Sequence, residues 1–96
     1  MVVYKKYQLI EKEEIANYIF PKGEVLKDRV KKELRSININ KALKLGNKFK
    51  NKVHIFFEDN FSLKRVETTI WGVTEKYIIL KQNVLIPIER VYSINL

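Results

Sequence analysis

At 96 residues, with 46% hydrophobic and 31% charged side chains, the chain has the size and composition of one globular domain and lies outside the disordered range. It contains no cysteine, which excludes disulfides and thiolate metal centres, and no apolar run long enough for a leader or a membrane span, so a soluble cytoplasmic protein is expected. The net charge of +8 is polarised: residues 1–52 hold 14 Lys/Arg against six Asp/Glu, whereas residues 53–96 hold five of each.

In chain order, the first ten residues suit extended chain, and Glu11–Ile19 suits a short helix with Ile15, Tyr18 and Ile19 turned inward. Pro21-Lys22-Gly23 then breaks the backbone. From Glu24 to Ile37, apolar residues recur at Leu26, Val30, Leu34 and Ile37. This spacing predicts a helix with that stripe facing the core and Lys27, Lys31 and Arg35 on the opposite side. A second short helix is expected over Lys41–Leu45, capped by Asn38 or Asn40 and ended by Gly46.

Beyond Lys52 the period changes. Val53, Ile55 and Phe57 alternate with His54 and Phe56, and Glu58-Asp59-Asn60 reads as a hairpin turn. A long strand over Ser62–Trp71 places Val66, Thr68 and Ile70 on one face, with a bend or end at Gly72. Tyr77–Leu80 is apolar on both faces and calls for a cover, which the amphipathic helix would supply. Gln82-Asn83 turns the chain into Val84–Ile88, and Val91–Leu96 forms the last strand. The expected architecture is α+β in a single domain of 1–96. A mainly helical basic arm over 1–52 would pack on a five-stranded, partly closed antiparallel small β-barrel over 53–96.

Three stretches, Lys52-Val-His-Ile-Phe-Phe-Glu-Asp-Asn60, Tyr77-Ile-Ile-Leu-Lys81 and Ile86-Pro-Ile-Glu-Arg-Val-Tyr-Ser-Ile94, give residues 50–96 a resemblance to the Sm-like small barrel. The resemblance implies an RNA partner and ring-like oligomers. The residues of that family's base pocket do not carry over. Asn60 stands where Gly follows Asp in the turn, and Arg65 stands where the second strand has Gly. Neither Asp nor Asn occurs between Gly72 and Tyr77, and Pro87-Ile88-Glu89 replaces the basic pair before the last strand.

Clustered positive charge beside a near-neutral body is the footprint of a polyanion-binding protein, or of a solvated face in a lysine-rich chain. Between Ser36 and Phe57 there is no acid at all, while Lys41, Lys44, Lys48, Lys50 and Lys52 fall there with Phe49 among them. Lysines approach phosphates as flexible point charges, and an aromatic among them can stack. The expected nucleic-acid contacts are therefore Lys41, Lys44, Lys48, Phe49, Lys50 and Lys52, extended along the first helix by Lys27, Lys31 and Arg35. With 15 Lys against four Arg, positioning on phosphates is favoured over bidentate base reading.

No catalytic constellation stands out. His54 is the single histidine and has only Glu67 within plausible reach. Glu13-Glu14 and Glu58-Asp59 are sequence neighbours whose side chains diverge, and Gly23, Gly46 and Gly72 are isolated, so no phosphate-cradling loop exists. The expectation is a non-enzyme with no cofactor, metal, membrane or small-molecule substrate: a small structural RNA-binding protein of a ribosome-like particle, touching RNA phosphates and neighbouring proteins. The alternatives are a protein-interaction module and an Sm-like ring on regulatory RNA. Trp71 could stack on a base of a single strand, but burial statistics favour placing it in the barrel or its seam with the helix; Phe56 and Phe61 are likewise either core or contact residues.

Overall fold

The computed structural model describes residues 6–96, so the extended start expected for the chain lies partly outside the described residues. In chain order the elements are β1 (Gln8–Leu9), a 3-10 helix (Lys12–Asn17), α1 (Arg29–Phe49), β2 (Val53–Glu58), β3 (Leu63–Thr68), β4 (Ile70–Val73) and β5 (Tyr77–Leu80). A 3-10 turn (Lys81–Asn83), β6 (Val84–Pro87), a second turn (Ile88–Arg90) and β7 (Val91–Asn95) complete the chain. The strands form two sheets, ordered β1-β3-β2-β7 and β4-β5-β6, antiparallel except for the β1–β3 pair. The class is α+β, but the described strands lie in two sheets and do not close into a barrel.

The long expected strand over 62–71 is split. Thr69 separates β3 from β4, and the two halves join different sheets, so the bend comes before Gly72. Val66, Thr68 and Ile70 do share the buried side. One hydrophobic cluster connects both sheets and the helix, and includes Ile39 and Ala42 of α1 together with Val53, Ile55, Ile70 and Val91. Phe56 is also buried; it projects from β2 into the ring of Tyr7, 4.9 Å away and edge-on, so β2 is covered on both faces.

The two helices expected over 24–37 and 41–45 are one continuous helix. It begins at Arg29 because the Asp28 carboxylate accepts a hydrogen bond from the Val30 N–H at 2.8 Å, satisfying a donor left free by the first turn. Glu24 does not enter the helix, because its carboxylate is taken by Arg35 and the Leu26 N–H. Asn38 and Asn40 do not cap a second helix. They flank Ile39, which is buried against the sheets, and that burial overrides their weak helix propensity. Gly46 does not end the helix either. A Cβ there would lie within 3.0 Å of the Ile70 carbonyl oxygen, so glycine lets α1 press directly on β4. The left-handed cap is Lys50, at φ 58°, whose N–H closes on the Gly46 carbonyl.

The orientation of α1 reverses the expectation. Its buried residues are Arg35, Ile39, Ala42 and Gly46, whereas Val30, Leu34 and Ile37 are exposed. At about 100° per residue, the buried set spans roughly 60° of the helix circumference and the apolar stripe lies on the far side. The helix packs on β4 and β7, not as the cover of β5, whose Tyr77 remains exposed. The expected helix over 11–19 is a 3-10 turn that buries Ile15 and leaves Ile19 exposed.

The segment between the 3-10 helix and α1 is stapled to the β6–β7 connection. Val25 N–H donates to the Glu89 carbonyl at 2.9 Å, and Arg90 donates to the Gly23 carbonyl at 2.9 Å. Gly23 adopts φ 126°, which a side chain would disfavour.

Candidate nucleic-acid interface

The structure sorts the expected contact residues into three groups. Lys41, Lys44 and Lys48 lie on α1 at i, i+3 and i+7, and all are exposed. At about 100° per residue they fall within roughly 60° of one another, opposite the buried face. The outer face of α1 is therefore apolar in its first half, through Val30, Leu34 and Ile37, and basic in its second.

The second group sits where α1 ends. Lys50 leaves the last turn in the left-handed conformation, and its carbonyl accepts from the Thr69 hydroxyl at 3.3 Å, tying the turn to the β3–β4 bend. Its ammonium lies 5.4 Å from the Trp71 ring centroid, and that of Lys81 lies 5.9 Å from it. Both distances fall within the reach of cation–π attraction, about 0.5–1 kcal/mol each at exposed sites. Trp71 is 49% exposed, so it fills neither the space between the sheets nor a seam with the helix. Ile70 pairs with Leu80 and Gly72 with Ile79, so Trp71 is the extra residue of a bulge, a device that re-aims a side chain. Phe49 is 60% exposed with the Lys48 ammonium 5.4 Å from its ring, and Lys52 is exposed just before β2.

The third group is not brought to this end. Lys31 lies 17 residues before Lys48 on the same helix, roughly 25 Å away at 1.5 Å per residue. Lys27, ahead of the helix, turns its ammonium toward the Glu24 carbonyl at 3.4 Å. Arg35 is 6% exposed; it makes two bonds to the Glu24 carboxylate, at 2.6 and 2.7 Å, and one to the Val91 carbonyl at 2.8 Å. It joins the segment before α1, the helix and β7, and leaves the set of surface cations.

Several acids elsewhere are engaged by other bases. Arg29 meets Glu33, Arg90 approaches Glu58, and buried Lys64 holds Asp59 at 2.9 Å. Burial works to raise the Asp59 pKa, but the Ser62 and Phe61 N–H groups and the Lys64 ammonium outweigh it and hold the carboxyl below its usual range. Burial likewise opposes ionisation of Glu24, and hydrogen bonds from Arg35 and the Leu26 N–H again prevail in lowering its pKa. By contrast, among the described residues Lys41, Lys44, Lys48, Lys50, Lys52 and Lys81 face no carboxylate within ion-pair distance.

His54 and Glu67 are cross-strand neighbours, with Nε2 3.8 Å from the carboxylate. Among the described residues no group of three or more His, Cys, Asp or Glu side chains is arranged to hold a metal ion, and no helix is long and apolar enough to cross a membrane. Phe61 is 89% exposed at the hairpin tip.

Sequence reading missed Lys81 and misplaced Trp71. The signal for Trp71 was present in strand parity: with Val66, Thr68 and Ile70 inward, residue 71 points away from the core. No family model matches the chain, and neither the curated proteins nor the solved structures compared with it contain a match.

Proposed function

We propose that this chain is a small structural RNA-binding protein, a component of a ribosome-like particle, that grips phosphates with the outer face of α1 and the residues around Trp71. One observation carries this reading. Five lysines on the second half of α1 and just beyond it, and Lys81 in the turn after β5, are exposed and face no carboxylate within ion-pair distance among the described residues, whereas Glu24, Glu33 and Asp59 are paired with Arg35, Arg29 and Lys64. Self-repulsion among such cations is relieved by a polyanion, and released counterions supply the affinity. The fold reading that goes with it is an opened Sm-like small barrel. It rests on a helix followed by β2, the bent β3–β4 pair, β5, β6 and β7, with only a 3-10 turn between the last two strands.

A second reading, a protein-interaction module, draws on a different observation. Val30, Leu34 and Ile37 expose 66%, 55% and 49% of their surface on one helix face. In an assembly both faces of the contrast have use, the basic half on RNA and the apolar half on a neighbouring protein.

The test is RNA affinity as a function of salt. Contact through four or five lysines gives a log–log slope of about −3 to −3.5 for a single strand, and Lys41→Gln, Lys44→Gln and Lys48→Gln together reduce its magnitude by about 2. No binding at low salt, or a slope untouched by the triple change, rejects the RNA reading and leaves the interaction module.

A further inference from the structure

We propose that Trp71 is a stacking platform for one unpaired base, flanked by Lys50 and Lys81 as clamps for the phosphates on either side, so that the RNA is single-stranded where it crosses the end of α1. This inference rests on the RNA-binding reading and goes beyond it by naming the conformation of the ligand.

Three observations converge. First, the indole is half exposed although tryptophan is the largest apolar side chain in the molecule, and it sits on a bulge that turns it off the sheet's regular spacing. Second, the two ammonium groups at its ring come from separate elements, Lys50 from the helix cap and Lys81 from the turn after β5, and neither faces a carboxylate among the described residues. Third, the Trp71 side chain makes no hydrogen bond among the described residues, which leaves its indole N–H free as a donor. Cation–π attraction accounts for the two lysines at the ring, but it leaves half of the indole surface and both ammonium charges open to a ligand.

A base supplies what is missing. Its π-face stacks on the indole whatever its identity, and its own phosphates lie within reach of the two lysine side chains at the ring. In a paired A-form helix the base faces are already stacked on one another and only base edges and 2′-hydroxyls are open in the minor groove, so an exposed indole stacks only on an unpaired base. Gln82 and Asn83, both exposed and both at positive φ (65° and 59°), follow Lys81 directly in the same turn. Lys50 and Lys81 act as positioning cations, holding phosphate while the ring takes the base.

Trp71 is the chain's single tryptophan, so intrinsic fluorescence reports on this site alone. A short oligoadenylate and the same strand annealed to oligouridylate are titrated against the full chain, with anisotropy of a labelled strand as a second readout. The single strand is expected to quench Trp71 emission, and the duplex is not. Trp71→Leu should weaken single-strand binding about five- to a hundredfold while leaving duplex affinity unchanged, with Trp71→Phe retaining part of the loss. Circular dichroism of both variants checks that the fold is kept, and Trp71→Phe preserves the test if the leucine variant does not fold. Single-strand binding with unchanged emission and no effect of either substitution overturns the stacking platform while the RNA reading survives. Equal quenching by duplex overturns the single-strand assignment, and no binding of either probe at low salt overturns both readings.

Discussion

Gly46→Ala separates this structure sharply from the helical propensities of its sequence. In an exposed helix interior the change adds about 1 kcal/mol of stability, because alanine loses less backbone entropy on folding. Here the new methyl would fall within 3.0 Å of the Ile70 carbonyl oxygen and at 3.0 Å from the Thr69 Cγ2. The oxygen belongs to β4, whose residue 70 is paired with Leu80 and fully buried, so it has no rotamer by which to withdraw. Overpacking of this kind costs typically 1–3 kcal/mol, and against backbone the upper part of that range applies. The net expectation is a loss of about 2 kcal/mol, which in a domain of this size lowers Tm by roughly 8–16 °C. Asn47→Ala, at the next and exposed position, should instead stabilise by a few tenths of a kcal/mol. Urea unfolding followed by circular dichroism and by Trp71 emission measures both. A Gly46→Ala protein as stable as the parent, or more so, would show that α1 does not rest on β4 and would refute the placement of its lysines.

Two further stability predictions follow from the same packing. Leu34→Gln on the outer face of α1 should change stability by less than about 0.5 kcal/mol, whereas Ile39→Ala on the buried face should cost about 2–5 kcal/mol. Comparable losses in urea titrations would mean the helix is rotated from the orientation described. Asp59→Asn leaves the Lys64 ammonium buried without its carboxylate and should cost about 3–5 kcal/mol. Because Asp59 and Glu24 both have lowered pKa values, their stabilisation is fully present above the unfolded values near 4 and is lost as pH falls through the folded ones. Tm should therefore decline below about pH 4, less steeply in a Glu24→Gln, Asp59→Asn variant, and parallel profiles in thermal scans would contradict this assignment.

Much of this protein is local and was legible from its residues alone. The β strands follow from alternation and turn residues, so Val53–Glu58, Tyr77–Leu80 and Val84–Pro87 lie where pattern puts them. The acid-free lysine segment is likewise plain, since charge needs no fold to be counted. Tertiary structure decided the direction in which α1 faces. Val30, Leu34 and Ile37 form a better apolar stripe than Arg35, Ile39, Ala42 and Gly46, yet the second set is buried, and Leu26, the buried member of the expected stripe, lies ahead of the helix. Arg35 can be buried only because Glu24 and the Val91 carbonyl neutralise and hydrogen-bond it, and Gly46 is favoured only because β4 requires close approach. Both conditions depend on residues distant in the chain, which a helical period cannot register. The meeting of Lys50, Trp71 and Lys81 is of the same kind: a cap, a bulge and a turn from three elements, joined by pairing that exists only once the sheets have formed.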